Sequence, residues 1–279
     1  LSPLVPLIIY AIASEESIGR LFLGGIIPGI MVGLLQLVIV WRIAKARDYP
    51  TEVVPFTIKE ALRQARRSAA VVIMPVLIVG SVVFGFVTPT ETAGTAAVYG
   101  LIIGFFLVGV SVVKDLPGAM RSAIIMSAKI MMIIAFSQVF ITVLALERVP
   151  DQLADFVGGL GLDAMTFMLL TALLILLAGT FIDVSPAILL LTPVLLPVAR
   201  DLGVSGVHFG VVLVSALAVG NCTPPVGNCL NVCAAICRLP IGQIFLGAAP
   251  FLVANVVVLG LLCVFPELVL WIPDAVMGP

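Results

Sequence analysis

The chain has 279 residues, 62% of them hydrophobic and only 10% charged, with a mean hydropathy of +1.29. A soluble domain carries roughly 25% charged residues, and 14 Lys+Arg with 15 Asp+Glu cannot coat a soluble core of this size. Soluble folds are therefore excluded; a net charge of −1 offers no basic footprint for nucleic acid, and 7% aromatic residues with weak strand alternation argue against a transmembrane β-barrel.

Lipid cannot satisfy exposed backbone polar groups, so the apolar stretches must be helices, and charges mark where the chain leaves the membrane. Leu1 lies inside apolar sequence with no Met and no basic leader, which reads as a truncated start. Leu21–Trp41 is free of charge and long enough to span. Within it Gly25, Gly29 and Gly33 recur every fourth residue, a spacing that suits close helix packing. Arg42, Lys45, Arg47, Lys59, Arg63, Arg66 and Arg67 follow, and the positive-inside rule makes this loop cytoplasmic. Its second half, Thr57–Arg67, predicts a basic amphipathic helix lying along the headgroups. Ser68–Thr90 and Thr92–Val113 are the next apolar stretches, and Thr88-Pro89-Thr90-Glu91 between them reads as a capped helix start. Lys114 and Arg121 mark a second cytoplasmic loop, and Glu147, Arg148 and Asp151 the opposite side. Between them, Ser122–Leu146 carries only Lys129, read as snorkelling toward Arg121.

The second half contains two interruptions. Ala164–Gly179 and Pro186–Ala199 are short for crossing. The polar turn between them runs from Thr180 to Ser185, with Ser185 as N-cap and Pro186 as the first helical residue. This predicts a re-entrant hairpin with Asp183 buried at its tip, where an unpaired carboxylate costs about 2.5–3.5 kcal/mol to insert. The second interruption is Val219–Asn231, where prolines, glycines and Asn residues break a long apolar run. Proline frees carbonyls, and those oxygens with Asn and Thr side chains suit a hard cation such as Na⁺. The half-helix expected to start near Pro225 points its N-terminus at the gap and suits a carboxylate. His208, near the expected cytoplasmic interface, reads as structural. Of the five cysteines, Cys222, Cys229, Cys233 and Cys237 lie in one apolar stretch and read as small buried thiols packed between helices.

SPLVPLIIYAIA (2–13) resembles TPPVGNCLNVCA (223–234), and IGRLFLGG (18–25) resembles IGQIFLGA (241–248), the two matches differing in offset by two residues. Each copy is a Pro-containing half-helix, a turn and a long span. The charges place the copies in opposite orientations, with Glu15, Glu16 and Arg20 outside, Arg238 cytoplasmic and the C-terminus periplasmic. Inverted repeats with broken helices are the mark of secondary transporters. The chain divides accordingly: residues 1–17 end the first broken helix, 18–147 form spans and the cytoplasmic helix of a scaffold region, 148–237 form the second hairpin and broken helix of a transport region, and 238–279 form the last span and tail.

The motifs VTPTETAGTAAVYG, GTFIDVSPAILLLTPVLLPVARDLGV, HFGVVLV and TPPVGNCLNV together resemble the large membrane subunit of TRAP (tripartite ATP-independent periplasmic) transporters, over nearly the whole chain. The resemblance implies an all-α inverted-repeat transporter of elevator type, and no enzyme. It implies Na⁺-coupled import of an organic acid anion, of the sialic acid or C4-dicarboxylate kind, across a bacterial inner membrane. Its implied partners are a small membrane subunit and a periplasmic binding protein. By the same resemblance Gly179, Thr180, Asp183, Asn221, Thr223, Pro225 and Gly227 surround Na⁺, Ser185 and Asn228 contact substrate, and Ser2 and Pro3 border it. The competing readings are a sodium/anion symporter without a binding protein, a passive channel, and an intramembrane protease. An aspartyl protease needs a second membrane acid beside Asp183, and a serine protease needs His208 to pair with Ser215.

Overall fold

A computed structural model describes residues 4–47, 57–83, 85–108 and 112–278. Every regular element among them is helical. They pack as two compact units, one made of residues 1–43 and 130–279, the other of 44–129. This is a division by packing and differs from the division by repeats given above.

In the first unit, α1 (Leu4–Ser14) and α2 (Ile18–Gly24) are followed by α3 (Ile26–Ala46). Gly29 and Gly33 face open space within 4 Å, so the predicted close packing does not occur at these two glycines among the described residues. The second unit contains α4 (Ile58–Val83) and α5 (Pro89–Ile103), the latter running into a π-helical turn, Gly104–Val108. The surface helix expected at Thr57–Arg67 is not a separate element, because α4 continues unbroken into the apolar residues after it. No proline or glycine interrupts that junction, and nothing in the backbone calls for a turn there.

The start of α5 follows the sequence reading. Thr88 accepts from the Glu91 amide, and the Glu91 carboxylate accepts from the Thr88 amide at 2.8 Å, closing a capping box. Those bonds hold the Glu91 carboxyl below the usual carboxylate range. A depressed pKa means the cap is present above the ordinary carboxylate pKa and lost as pH falls through the lowered one. Thr88→Ala should therefore speed hydrogen exchange of the Glu91 and Thr92 amides at neutral pH. The parent should show the same loss only in acid. Unchanged exchange in the variant would remove the cap as a stabilising element.

Helix α6 (Val112–Leu146) contains Lys114 and Arg121 within its length, so the second cytoplasmic loop expected there is helical. Back in the first unit, α7 (Val149–Gly159), α8 (Ala164–Gly179), α9 (Val184–Asp201), α10 (Gly206–Gly220), α11 (Asn228–Cys237), α12 (Ile241–Val264) and α13 (Glu267–Met277) complete the chain. Among the described residues, 18–46, 116–146, 184–201 and 241–264 are long and apolar enough to cross a membrane. The apolar helices α1, α8, α10 and α11 are shorter, as the two interruptions predict. α9 begins earlier than expected and reaches spanning length.

The N-terminal helices are clasped to the late ones. Tyr10 donates to the Gly206 carbonyl at 2.7 Å and tilts against Phe209. Gly210 is required there, since a Cβ would fall 2.1 Å from the Tyr10 ring. Arg200 pairs with Glu16 at 2.8 Å and donates to the Ser14 carbonyl, and Arg20 pairs with Asp274. Gln36 on α3 donates to Asn255 on α12 at 3.4 Å, a polar tie within the apolar stretches of the two helices.

Two turns repeat one another in the backbone. Ser14-Glu15-Glu16-Ser17-Ile18 joins α1 to α2, and Cys237-Arg238-Leu239-Pro240-Ile241 joins α11 to α12. The residue after each half-helix is left-handed although neither is glycine: Glu15 has φ 59° and Arg238 has φ 54°. The copies therefore stay in register through the turn, and the two-residue slip read from the sequence lies before it.

Candidate cation and anion site

The site begins with two helix ends. α8 and α10 run side by side in one direction. Near their starts, Met168 and His208 both meet α12: Cys263 Sγ lies 3.8 Å from the Met168 carbonyl, and His208 Nε2 lies 2.7 Å from that of Leu262. Their C-terminal ends meet at two glycines. A Cβ on Gly220 would fall 2.3 Å from the Leu176 carbonyl oxygen and 2.9 Å from the Gly179 Cα. Only glycine on both sides lets the backbones approach this closely.

The chain turns at both ends. After Gly179, Thr180–Ile182 form the hairpin tip and α9 starts. After Gly220, Asn221–Gly227 are non-helical before α11. The Gly227 amide donates to the Thr180 carbonyl at 3.3 Å, which ties the tip of one interruption to the break of the other. The two C-terminal ends of α8 and α10 thus converge with the N-terminal ends of α9 and α11. Helix C-termini carry partial negative charge and unpaired carbonyls, and N-termini carry partial positive charge and unpaired amides. One location therefore offers a cation ends of one sign and an anion ends of the other.

The expected site residues fall as follows. Gly179, Thr180, Asn221, Thr223 and Gly227 come together around the tip and break. Thr180 is 4% exposed, and its hydroxyl donates to the Leu177 carbonyl at 2.7 Å. The Thr223 hydroxyl donates to the Val219 carbonyl at 2.8 Å. Both hydroxyl oxygens keep lone pairs directed away from those bonds. The Asn221 carbonyl accepts from the Cys229 amide at 3.3 Å. Pro225 is exposed, and Ser185 is half-buried in the first turn of α9. Asn228 is exposed and opens α11. Ser2 and Pro3 lie outside the described residues.

Several expectations are corrected. Asp183 is exposed and not buried, and it is the N-cap of α9 without a side-chain cap bond. Ser185 is consequently not the N-cap, and Pro186 sits deeper in the first turn. Proline is tolerated throughout that turn because its missing N–H would be unpaired anyway. α11 starts at Asn228 and not near Pro225, because Pro224 and Pro225 precede a left-handed Gly227, φ 39°. His208 lies two residues from Gly206, whose Cβ position touches the Glu16 carboxylate. Glu16 and the start of α10 therefore lie at one end of the bundle, although the sequence reading put Glu16 outside and His208 near the cytoplasmic interface. His208 Nε2 meets the Leu262 carbonyl, and no His208–Ser215 hydrogen bond occurs among the described residues. Cys229, Cys233 and Cys237 are exposed and Cys222 is partly so; of the five cysteines only Cys263 is buried. The role of Gly220 was missed in the sequence, where the signal was a glycine placed directly before the Asn-Cys-Thr-Pro-Pro break.

Residues 1–268 match the family model described as tripartite ATP-independent periplasmic transporter, DctM component. The chain is 32% identical over 98% of its length to the C4-dicarboxylate TRAP transporter large permease protein of Pseudomonas aeruginosa. It is 33% identical over 99% of its length to the sialic acid TRAP transporter large permease protein of Vibrio cholerae. In each case it spans 64% of the relative's length. It is also 33% identical, over 92% of its length, to 40% of the isethionate TRAP transporter permease protein of Oleidesulfovibrio alaskensis. On the match to the family model, which runs almost end to end, this helical, multi-pass membrane chain belongs to the DctM component family of tripartite ATP-independent periplasmic transporters, a family of transporters and not of enzymes.

Proposed function

We propose that this chain carries the second transport hairpin of a permease that imports an organic acid anion together with Na⁺. The observation that carries this reading is the convergence of two helix C-termini, at Thr180 and Asn221, with two helix N-termini, at Asp183 and Gly227. Na⁺ is held by carbonyls of Gly179–Thr180 and Asn221–Thr223, with the Thr180 and Thr223 hydroxyls. Asp183 supplies charge at the tip, while Pro225 and Gly227 shape the break. The anion is held at the α9 and α11 ends, with Ser185 and Asn228 as side-chain donors and Ser2 and Pro3 bordering it. The relatives' names mention C4-dicarboxylates, sialic acid and isethionate. Carboxylates of the first two kinds are the substrate class proposed here.

The permease works in a bacterial inner membrane with a small membrane subunit and a periplasmic binding protein that delivers the anion. Its C-terminus is periplasmic, and the step across the membrane is an elevator movement. Accompanying the anion with more Na⁺ than it carries negative charges makes the cycle electrogenic, and each net inward charge contributes about 2.3 kcal/mol per 100 mV.

The test is uptake of labelled succinate and sialic acid into vesicles holding the whole permease, with the binding protein outside. Uptake should vanish when K⁺ replaces Na⁺. Thr223→Ala should raise the Na⁺ concentration for half-maximal uptake by about tenfold, equal to about 1.4 kcal/mol, at normal expression. Uptake indifferent to Na⁺ would sink the symporter reading.

A further inference from the structure

One face of α6 carries positive charge where the helix is otherwise made for lipid. Lys114, Arg121 and Lys129 are its only basic residues, seven and eight residues apart. At 3.6 residues per turn they fall within about 80° of one another. All three are exposed, and none forms an ion pair among the described residues. Asp115 is the one acid of the helix, and it is not three or four residues from any of them, the spacings at which side chains on a helix meet. The surface between Arg121 and Lys129 is apolar: Ile124, Ile125 and Met126 are exposed, and only 6% of the apolar window within 116–146 is buried.

Depth orders the three cations. Lys114 and Arg121 precede the apolar run that starts at Ser122, which puts them at headgroup level. Lys129 lies about 12 Å further along the axis, inside the run, where a lone ammonium is costly. A helical side chain leans toward the N-terminus of its helix, so Lys129 climbs back toward Arg121. A group with anionic oxygens on several sides can accept from both cations at once. Ser122, exposed and next to Arg121, adds a hydroxyl at the same level. A phosphodiester carrying two acyl chains matches both halves of this surface, its oxygens meeting the cations and its chains meeting the isoleucines and the methionine. A carboxylate on a neighbouring membrane helix would meet Lys129 but leave Lys114 and Arg121 without a counter-charge.

We propose that this face of α6 is a binding site for an anionic phospholipid. Arg121 and Lys129 hold its phosphate, with Ser122 as a further donor, and its acyl chains lie along Ile124, Ile125 and Met126. Lys114 faces the rest of the headgroup. A headgroup with net negative charge, such as that of phosphatidylglycerol, is selected over a zwitterionic one, whose ammonium Lys114 repels.

The experiment places the whole permease in nanodiscs of equal phosphatidylglycerol and phosphatidylethanolamine with the same acyl chains, then counts the lipids it retains by native mass spectrometry. The parent should retain phosphatidylglycerol in preference to phosphatidylethanolamine. Lys129→Ala and Arg121→Ala should each lower that retention about fivefold, the factor expected for one basic residue at an anionic surface, and Lys129→Arg should keep it. Lys129→Ala makes the span more apolar and so does not endanger insertion, and Arg121→Ala gives an independent second reading. Arg42→Ala, which removes an exposed basic residue from α3, should lower retention by less than either. Retention unchanged in Lys129→Ala overturns the proposal. An equal loss in Arg42→Ala does so too, because it marks general attraction to the leaflet and not a site. A dicyclohexylcarbodiimide cross-link between Lys129 and a carboxylate of another membrane chain also overturns it, assigning Lys129 to a protein partner. The readout is lipid retention, so a failure of Na⁺-driven uptake would leave this result standing, and the reverse holds too.

Discussion

Gly220→Ala should cost at least about 3 kcal/mol, the upper part of the overpacking range. The added carbon would lie 2.3 Å from one backbone oxygen and 2.9 Å from a backbone carbon, and neither belongs to a side chain that can swing away. α8 and α10 would have to separate at their C-terminal ends. That movement would carry Thr180 away from Gly227 and open the place where the four helix ends meet. Thermal unfolding in detergent should show a clearly lowered transition, and Na⁺-dependent uptake should fall with it. Gly260→Ala is the matched control: nothing lies within 4 Å of its Cβ position, and alanine favours a helix over glycine by about 1 kcal/mol. If the two variants unfold alike, the glycine contact is not what seats the hairpin tip.

The second large effect is expected at the tip itself. Asp183→Asn keeps the size of the side chain and its ability to cap α9, but removes the charge. Uptake driven by Na⁺ should drop at least about tenfold while protein level and unfolding temperature stay near those of the parent. Exposure of Asp183 strengthens this design, because an exposed N-cap tolerates Asn as well as Asp. Asp183→Glu should also be impaired, since its longer side chain caps poorly and moves the carboxylate away from the turn. Parental transport with parental Na⁺ dependence in the Asn variant would leave Asp183 as a cap and nothing more.

Much of this arrangement was legible in the sequence where backbone chemistry speaks locally. Pro224, Pro225, Gly227 and the Asn residues announced the break because proline cannot donate and glycine accepts φ values that other residues resist. The Thr88–Glu91 cap was readable for the same reason. Placement of a side chain against distant sequence was not. Asp183 and the α11 cysteines were expected inside because their neighbours are apolar, yet apolarity in a membrane protein does not say whether a face meets protein or lipid. The Tyr10–Gly206 and Glu16–Arg200 contacts join residues far apart in the chain with no motif to pair them. Gly29 and Gly33 had the right spacing for packing and no partner among the described residues, whereas isolated Gly179 and Gly220 made the close contact. Helix boundaries slipped near proline because the first turn accepts it at more than one position.

The clasp between the first and last helices also sets an order of events during synthesis. Tyr10 waits for a partner 196 residues later, Glu16 for one 184 later and Arg20 for one 254 later. At about 5–20 residues per second, the first two helices are in place for some tens of seconds before their partners emerge. The stretch 44–129 is contiguous and can consolidate during that interval. Until α9 and α10 arrive, Tyr10, Leu7 and Leu21, all buried at the end, stay available to lipid or to assembly factors. A ribosome stalled shortly after residue 180 should therefore hold a nascent chain whose 44–129 region resists protease while α1 and α2 are still digested.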